Sequence, residues 1–379
     1  MEQMNPLTEC AGVFTFMILR LSLILFLGTL AAAPTGETVE RRLVVMGTAL
    51  DVSVTASSRP EALDATEAAV REIARVEGLL STWTDRGPLA RLNAAPVGEA
   101  VVLPGELFEL LERAFEWSRR TGAAFEPAVL PLVNAWGLRT GGRFPAEGKL
   151  TRALEATGHG RFRLNSPNST ISKLHPCAGI DEGAWGKGYA LDRAAGMLQR
   201  QGVLSAVLNL GGQVFFLQAS PSGGLRVGLA DPRDRKSVVG HVILKSGSLS
   251  TSGNSEHAVA VGGTRVGHLL DPRTGAPAPD FGSVTVLSPS GFVADLLSTA
   301  FFVLGPEVGP ELSCRLRAEG VIHEVLYLVK RRHGLEARAS AGFVPALEHL
   351  DVPLLPLAET ISPAGSAGGG RQPEGGISP

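Results

Sequence analysis

The stretch FVADLLSTAFFVLG, residues 292–305, reads as a helix that is buried on most sides. Capping and turn residues at 288–291 precede it, and Gly305 and Pro306 form a helix-ending pair after it. Its one charged residue, Asp295, has apolar neighbours on almost every side. We therefore predict a core helix around which the other elements pack.

Three oxygen-bearing residues share one face of this helix. Asp295, Ser298 and Thr299 stand at i, i+3 and i+4. A buried charge without partners is costly, and a hard cation such as Mg²⁺ would satisfy all three groups while leaving positions for a substrate phosphate. The structural alternative is a buried aspartate bonded to backbone or to an arginine, with both hydroxyls bonded to carbonyls one turn back.

Composition limits the classes of function. The chain has 379 residues, enough for one large domain or two medium ones, and a net charge of −2. It has no Lys/Arg cluster and few aromatic residues, which argues against nucleic acid as the main partner. The cysteines at 10, 177 and 314 form no metal-binding motif, and the last two either pair or remain free thiols.

Both ends of the chain differ from the middle. Residues 1–33 are predicted to be a signal peptide or an N-terminal membrane anchor, since 11–33 are apolar except for Arg20 and a few hydroxyls. We therefore expect an exported protein, periplasmic or associated with the outer face of the inner membrane. Residues 360–379 are expected to be a disordered tail, because they are rich in Gly, Pro and Ser.

Between these ends, helices and strands alternate without a βα repeat of constant period. This pattern predicts an α+β fold, one large domain over 41–350 in which helices pack on a mainly antiparallel sheet. The element predictions that matter below are a strand at 41–56 bent at 46–48, helices at 60–80 and 104–120, a broken helix within 123–138, and two strand segments within 204–218 bent at 211–212.

A glycine-rich loop enters a helix within DEGAWGKGYALDRAAGML, residues 181–198. Backbone N–H groups at such a helix start bind anions, and Lys187 would add a charge for phosphate. The alternative is that the glycines serve only a turn. Trp83, Phe125 and Trp136 are read either as core or as stacking surfaces for a flat ring, and His268 either as structural or as functional.

Eight motifs in one order resemble the ApbE-type FAD:protein FMN transferases over about residues 43–330. The motifs are MGTALDVSV, LLSTW followed by LARLN, GAAFEPAVLPLVNAWG, DEGAWGKGYALDRAA, VLNLGGQV, STSGNSEH, HLLDPRTGAP and ADLLSTAFFVLG. The resemblance implies a Mg²⁺-dependent enzyme that cuts the FAD pyrophosphate, attaches FMN by a phosphoester bond to a Thr or Ser hydroxyl of an acceptor flavoprotein subunit, and releases AMP.

The resemblance also implies roles for individual residues. The implied metal ligands are Asp295, the backbone at Ser298, Thr299 and the carbonyl of Ala190. The implied FAD contacts are Met46, Trp83, Ala124, Phe125, Glu126, Lys187, Asp192 or Arg193, and the backbone of Leu269. His268 matches a histidine implicated in the transfer step, and Asp295 is the second predicted catalytic residue. The base that removes the hydroxyl proton is either His268 or a carboxylate.

The sequence departs from the family pattern in several places. Glu126 stands where an aspartate is usual, Trp83 replaces a frequent tyrosine, and Gly267 stands where many members have a second histidine. The loop carries Glu182 and Trp185 where the usual form is close to DLGGIAKG. Three alternatives therefore stay open: an FAD pyrophosphatase, an exported FAD-binding protein without activity, and an inactive relative.

Overall fold

The structure is a computed structural model that describes residues 36–220, 223–254, 259–261 and 264–358. The predicted N-terminal signal or anchor and the predicted C-terminal tail lie outside these residues. The helices are α1 (Arg59–Leu80), α2 (Pro88–Ala94), α3 (Gly105–Arg120), α4 (Leu130–Trp136), α5 (Glu147–Ala156), α6 (Gly186–Arg200) and α7 (Gly291–Ala318). The strands are β1 (Glu37–Val45), β2 (Thr48–Ala56), β3 (Val101–Val102), β4 (Phe162–Asn165), β5 (Thr170–Lys173), β6 (Ser205–Leu210), β7 (Gln213–Gln218), β8 (Leu225–Ala230), β9 (Val238–Leu244), β10 (Gly247–Gly253), β11 (Val259–Val261), β12 (Thr264–Val266), β13 (Gly282–Ser288), β14 (Glu324–Arg331), β15 (Gly334–Ala339), β16 (Leu347–Leu350) and β17 (Leu354–Pro356).

One nine-stranded sheet organises the chain, in the order β1-β2-β6-β7-β10-β13-β14-β15-β17. Neighbouring strands are antiparallel, except for the parallel pair β15 and β17. Two smaller sheets, β16-β9-β8 and β3-β5-β4, and the hairpin β11-β12 flank it. The predicted α+β fold, with helices on a mainly antiparallel sheet, is confirmed.

Both faces of the middle of this sheet are covered. In β14, Val325, Tyr327 and Val329 belong to the core that α1, α6 and α7 share with the sheet. The alternate residues Leu326 and Leu328 face a second core, shared with β8 and β9. Successive side chains of a strand point to opposite faces, so a strand covered on both sides reads as a continuous apolar run.

Helix α7 occupies the position predicted for it. Ser290 caps its start, because its hydroxyl accepts from the N–H of Val293 at 3.3 Å. Gly305, with φ of 74° and ψ of 174°, breaks the helix before Pro306. Within the described residues, α7 is the one helix long and apolar enough to cross a membrane, but 67% of its most apolar window is buried in the fold.

One predicted bent strand is in fact a hairpin, and the two strand segments predicted within 204–218 form another. The stretch 41–56 reverses at Met46 and Gly47, whose φ angles are 51° and 69°, so β1 and β2 pair antiparallel with Val45 opposite Thr48. The prediction of a single strand was wrong, because two consecutive positive φ values make the tight turn that joins hairpin strands. The stretch 204–218 reverses in the same way between β6 and β7.

Three predicted helices and two cysteines complete the comparison of the sequence with the fold. Helices α1 and α3 match the predicted spans within one residue. Of the predicted broken helix within 123–138, the part that is helical is α4. Cys177 and Cys314 are both free, so the open question of a disulfide is answered in favour of two thiols.

Candidate active site

Helices α6 and α7 approach each other closely at two glycines. A Cβ on Gly188 would stand 2.1 Å from the carbonyl oxygen of Gly291, and a Cβ on Gly291 would stand 2.6 Å from the carbonyl oxygen of Gly188. No side chain fits at either position. The close approach places the start of α6, where the glycine-rich loop ends, directly against the first turns of α7.

Asp295 projects from α7 into this contact. Its Oδ2 accepts a hydrogen bond from the N–H of Gly188 at 2.9 Å, and its Oδ1 lies 3.6 Å from the Nζ of Lys187. The carboxylate is buried, and Lys187 also donates to the carbonyl of Gly183 at 3.1 Å. The predicted acidic residue and the predicted anion-binding loop therefore form one site.

The loop itself is anchored by Trp185, one of its departures from the usual pattern. The indole is fully buried and donates from Nε1 to the carbonyl of Asp181 at 2.8 Å. Asp181 in turn accepts from the N–H of Gly183 at 2.8 Å. The extra bulk of Trp185 therefore lies in the core, beneath the loop, and leaves the backbone of the loop at the site.

The two hydroxyls beside Asp295 have different surroundings. Ser298 is fully buried, donates to the carbonyl of Asp295 at 2.9 Å, and lies 3.2 Å and 2.8 Å from the hydroxyls of Ser250 and Ser252. Thr299 meets the Ser252 hydroxyl only at 3.5 Å. The Ser298 hydroxyl therefore serves the junction of α7 with β10, as the structural alternative expected, and Thr299 is the better placed of the two to serve a ligand.

The oxygen atoms at this site suit a metal ion whose coordination is completed by substrate oxygens. Across the parts of the chain that the structure describes, no three His, Cys, Asp or Glu side chains gather into a metal cluster. Mg²⁺ needs only one or two carboxylates when substrate phosphates complete its coordination, so Asp295 with the Thr299 hydroxyl fits. Ala190 fits less well, since it lies inside α6 and its carbonyl points along the helix towards the N–H of Ala194.

Asp192 and Arg193, predicted as FAD contacts, have structural partners. The Asp192 carboxylate accepts from the hydroxyl of Ser290 at 2.6 Å, from the N–H of Phe292 at 3.0 Å and from the N–H of Gly291, so it caps α7. Burial raises the pKa of Asp192. Arg193 forms an ion pair with Glu72 at 3.1 Å. Their roles towards FAD stay predictions, while the structure gives Asp192 a different one.

The segment 124–126 is part of the core. Ala124 and Phe125 are buried, which is the core alternative for Phe125. Glu126 is also buried, and its carboxylate accepts from the hydroxyl of Ser118 at 2.6 Å and lies 3.1 Å from Nδ1 of His159. Any contact of this segment with a ligand would therefore come from its backbone.

Two other predicted FAD contacts lie beside the loop. The terminal methyl of Met46 lies 3.5 Å from where a Cβ of Gly186 would stand, and the N–H of Met46 donates to Glu77 at 2.8 Å. Trp83 is 68% exposed, and the guanidinium of Arg139 lies over its ring, 4.6 Å from the centroid. Arg139 also forms an ion pair with Asp181.

A cavity of about 450 Å³ lies at the end of β10. Asn254 lines it and follows Ser252 by two residues, which is about 7 Å along a strand. Trp136 contributes an apolar wall while donating from Nε1 to the carbonyl of Gly275 at 2.8 Å. Gly267, next to His268, also lines the cavity and lies against Asn254, whose Nδ2 would be 2.4 Å from a Cβ at this glycine. The carbonyl of Leu269, a predicted backbone contact, accepts from the N–H of Ala278 at 2.8 Å.

The arrangement thus combines a carboxylate and a lysine at the end of the glycine-rich loop with a cavity at the end of β10. The carboxylate and the lysine are suited to a substrate with a diphosphate, because a possible cation ligand and a positive charge for phosphate lie side by side. The sequence indicated the carboxylate, the lysine and the glycine-rich loop, but not the cavity. It did not single out Arg139, whose partners come from separate segments of the chain.

Known proteins are similar to this chain over most of its length. The family model described as the ApbE family matches residues 46–322. The FAD:protein FMN transferase of Rhodobacter capsulatus is 31% identical over 354 residues, covering 90% of this chain and 67% of that protein. The enzyme of the same name from Treponema pallidum is 32% identical over 332 residues, covering 82% and 89%.

Solved structures are similar over most of the fold. The flavin transferase ApbE from Vibrio cholerae superposes with a TM-score of 0.71 at 25% identity, covering 82% of this chain and 99% of that one. The ApbE protein from Thermotoga maritima gives a TM-score of 0.71 at 27% identity, covering 83% and 97%.

Proposed function

This chain belongs to the ApbE family, and on that premise we propose that it is an FAD:protein FMN transferase. The reaction attaches the FMN half of FAD to a Thr or Ser hydroxyl of an acceptor flavoprotein subunit. A P–O bond forms between the hydroxyl and the FMN phosphorus, the P–O–P bridge breaks, and AMP leaves with the bridging oxygen. The proton of the hydroxyl passes to a base.

The observation that carries the proposal is the contact of Asp295 with the end of the glycine-rich loop. The carboxylate lies 3.6 Å from Nζ of Lys187 and 2.9 Å from N of Gly188. A diphosphate bound at this loop would meet the lysine beside the carboxylate. The lysine would stabilise the charge that develops when the pyrophosphate is cut, and the carboxylate would do so through a cation that it holds.

We propose Mg²⁺ as the ion of this site, held by Asp295 and Thr299. Bound there, the ion would supply Lewis-acid neutralisation of the phosphate charge. Lys187 would balance the carboxylate and bind a phosphate oxygen. The buried Ser298 would fix the turn of α7 that presents both ligands.

The base that takes the hydroxyl proton is proposed to be His268. It neighbours Gly267, which lines the cavity at the end of β10, and an incoming acceptor segment would reach the site through this cavity. Imidazole titrates near neutral pH and is the commonest group in this role. Leu269 would contribute its backbone beside it.

The predicted N-terminal segment supports a location outside the cytoplasm. Residues 17–33 combine one basic residue, an apolar run and a small-residue end, which is typical of a signal peptide. We propose that the enzyme acts on exported flavoprotein subunits, in the periplasm or on the outer face of the inner membrane.

A direct test incubates the protein with FAD, Mg²⁺ and a small flavoprotein subunit that carries an acceptor threonine. We expect flavin fluorescence on the acceptor band of a denaturing gel, with one AMP released per flavin attached. Replacing the acceptor threonine by valine is the matched control. Free FMN with AMP would instead identify an FAD pyrophosphatase, and FAD binding without AMP release would identify a binding protein.

A further inference from the structure

The guanidinium of Arg139 connects two segments that sequence patterns treat separately. It lies over the ring of Trp83, 4.6 Å from the centroid, and it forms an ion pair with Asp181 at the start of the glycine-rich loop. Arg139 also donates to the carbonyl of Thr82 at 3.1 Å and to its hydroxyl at 2.7 Å. The Arg139 side chain therefore contacts both the exposed Trp83 indole and the start of the glycine-rich loop.

The Trp83 ring has one covered face. Arg139 covers it, with only 18% of its own side chain exposed, whereas Trp83 is 68% exposed. A cation held against one face of an indole is attracted by the ring quadrupole and fixes the ring orientation. The opposite face is left as a flat apolar surface of the kind on which an aromatic ring stacks.

Glu182 adds a second carboxylate to this group of residues. It accepts hydrogen bonds from the N–H of Thr82 at 3.3 Å and from the Thr82 hydroxyl, and it lies 3.7 Å from Arg139. Two adjacent carboxylates beside an anion-binding loop repel a phosphate. The Arg139 guanidinium offsets that repulsion. Its ion pair with Asp181 is largely shielded from solvent, so the attraction between the two charges is strong.

We propose that Arg139 is a positioning residue for the dinucleotide substrate, which holds the Trp83 ring at a fixed place relative to the glycine-rich loop. A ring of FAD stacked on Trp83 and the diphosphate bound at the loop are then recognised together. This inference rests on the proposed function. Arginine is required because a planar, five-donor group stacks on the indole and binds carboxylates at once, which the point charge of lysine does not do.

The test compares Arg139→Gln and Arg139→Lys with the unmodified protein and with Arg143→Gln. Arg143 is a matched control, since its guanidinium donates to backbone carbonyls at the end of α4, including that of Ala135 at 3.2 Å. We expect Arg139→Gln to raise KM for FAD about tenfold and to change kcat less than about threefold. Arg139→Lys should raise KM about threefold, because it retains the charge beside the loop but not the stacked plane. Arg143→Gln should match the unmodified protein.

Two further measurements separate positioning from a general loss of structure. In a Trp83→Ala background, Arg139→Gln should change KM less than about threefold, because the ring through which it acts is gone. Acrylamide quenching of tryptophan fluorescence should change in Arg139→Gln, and it reports on Trp83 because the other tryptophans, Trp117, Trp136 and Trp185, are buried. If Arg139→Gln does not fold, the comparison is made with Arg139→Lys, which keeps a cation against both carboxylates.

An unchanged KM for FAD in Arg139→Gln, or an equal effect with and without the Trp83 ring, overturns the inference. In both cases the unmodified protein still transfers FMN, so the proposed function stands. If the unmodified protein neither binds FAD nor transfers FMN, the proposed function fails and this inference fails with it. Equilibrium dialysis with FAD distinguishes these cases without the transfer assay.

Discussion

The carboxylate of Asp295 accepts a hydrogen bond from the backbone N–H of Gly188 at 2.9 Å, across 107 positions of sequence. The bond forms because α6 and α7 touch where neither helix carries a side chain. A glycine-rich loop and a buried helix thereby become one site.

Gly188→Ala should destabilise the fold by about 3 kcal/mol, because overpacking that cannot relax is costly. The new Cβ would meet the Gly291 carbonyl oxygen at 2.1 Å and Cβ of Asp295 at 2.8 Å. Gly196→Ala is the control in the same helix, since its Cβ would meet only the end of Arg200 at 3.6 Å. That change should stabilise by about 0.5–1 kcal/mol. Urea unfolding measures both, and equal midpoints for the two variants would contradict the close approach.

Asp295→Asn should lower the rate of FMN transfer by about a hundredfold or more, the size of effect seen when one electrostatic contributor is removed. The amide oxygen still accepts from the N–H of Gly188, so unfolding midpoints and FAD affinity should change little. Asp51→Asn, a partly exposed carboxylate on β2 paired with Arg42, is the control. Initial rates at several Mg²⁺ concentrations provide the measurement. Full activity in Asp295→Asn would remove the carboxylate from the proposed site.

Ser298→Ala and Thr299→Val should separate structure from activity. Removing the buried Ser298 hydroxyl leaves the Ser250 hydroxyl without this partner, and the protein should lose about 1–2 kcal/mol of stability. Thr299→Val keeps the side-chain shape and should cost less than about 1 kcal/mol, because its nearest hydroxyl is 3.5 Å away. Its transfer rate should fall about tenfold or more if the hydroxyl is a ligand. A normal rate of FMN transfer in Thr299→Val would show that the Thr299 hydroxyl is not a metal ligand.

Glu182 should make stability depend on pH. Burial, reinforced by the neighbouring Asp181, raises the pKa of Glu182 above its ordinary value of 4.5. Between pH 4.5 and the raised pKa, Glu182 therefore binds more protons in the folded protein than in the unfolded chain. The stability contribution is fully present below pH 4.5 and is lost as the pH rises through the raised pKa.

Glu182→Gln removes this titration. The stability of the variant relative to the unmodified protein should therefore increase as the pH rises from 4.5 through the raised pKa. Urea midpoints at intervals of pH measure the difference, and other carboxyl groups cancel in it. Parallel curves over this range would show that Glu182 keeps an ordinary pKa.

Local patterns of the sequence predicted the elements that depend on local causes. The apolar stripe of α1, the capped and Gly-terminated first half of α7, and a loop opening into α6 are all set by residues close in sequence. The hairpin between β1 and β2 was missed, because a turn at Met46 and Gly47 lacks the usual Asn-Gly signature and a methionine rarely adopts a positive φ.

The site was predicted in parts but not in its assembly. A buried Asp295 had to have partners, yet nothing local could indicate that one of them is the N–H of Gly188. The cap on α7 was assigned to residues 288–291, while a larger share comes from Asp192, which is 98 positions before Ser290. The contacts of Arg139 left one trace in the sequence, the unusual Glu182, whose partners only the fold shows.

The break of α7 at Gly305 has a consequence for how substitutions spread through the molecule. The buried half before it carries Asp295 and is fixed by the sheet and by α6, while the half after it reaches solvent at residues such as Val308 and Glu311. The second half has its own anchors in the core, Leu312 and Leu316. Because Gly305 interrupts the helix, a substitution in the second half should change the angle between the two halves before it displaces Asp295.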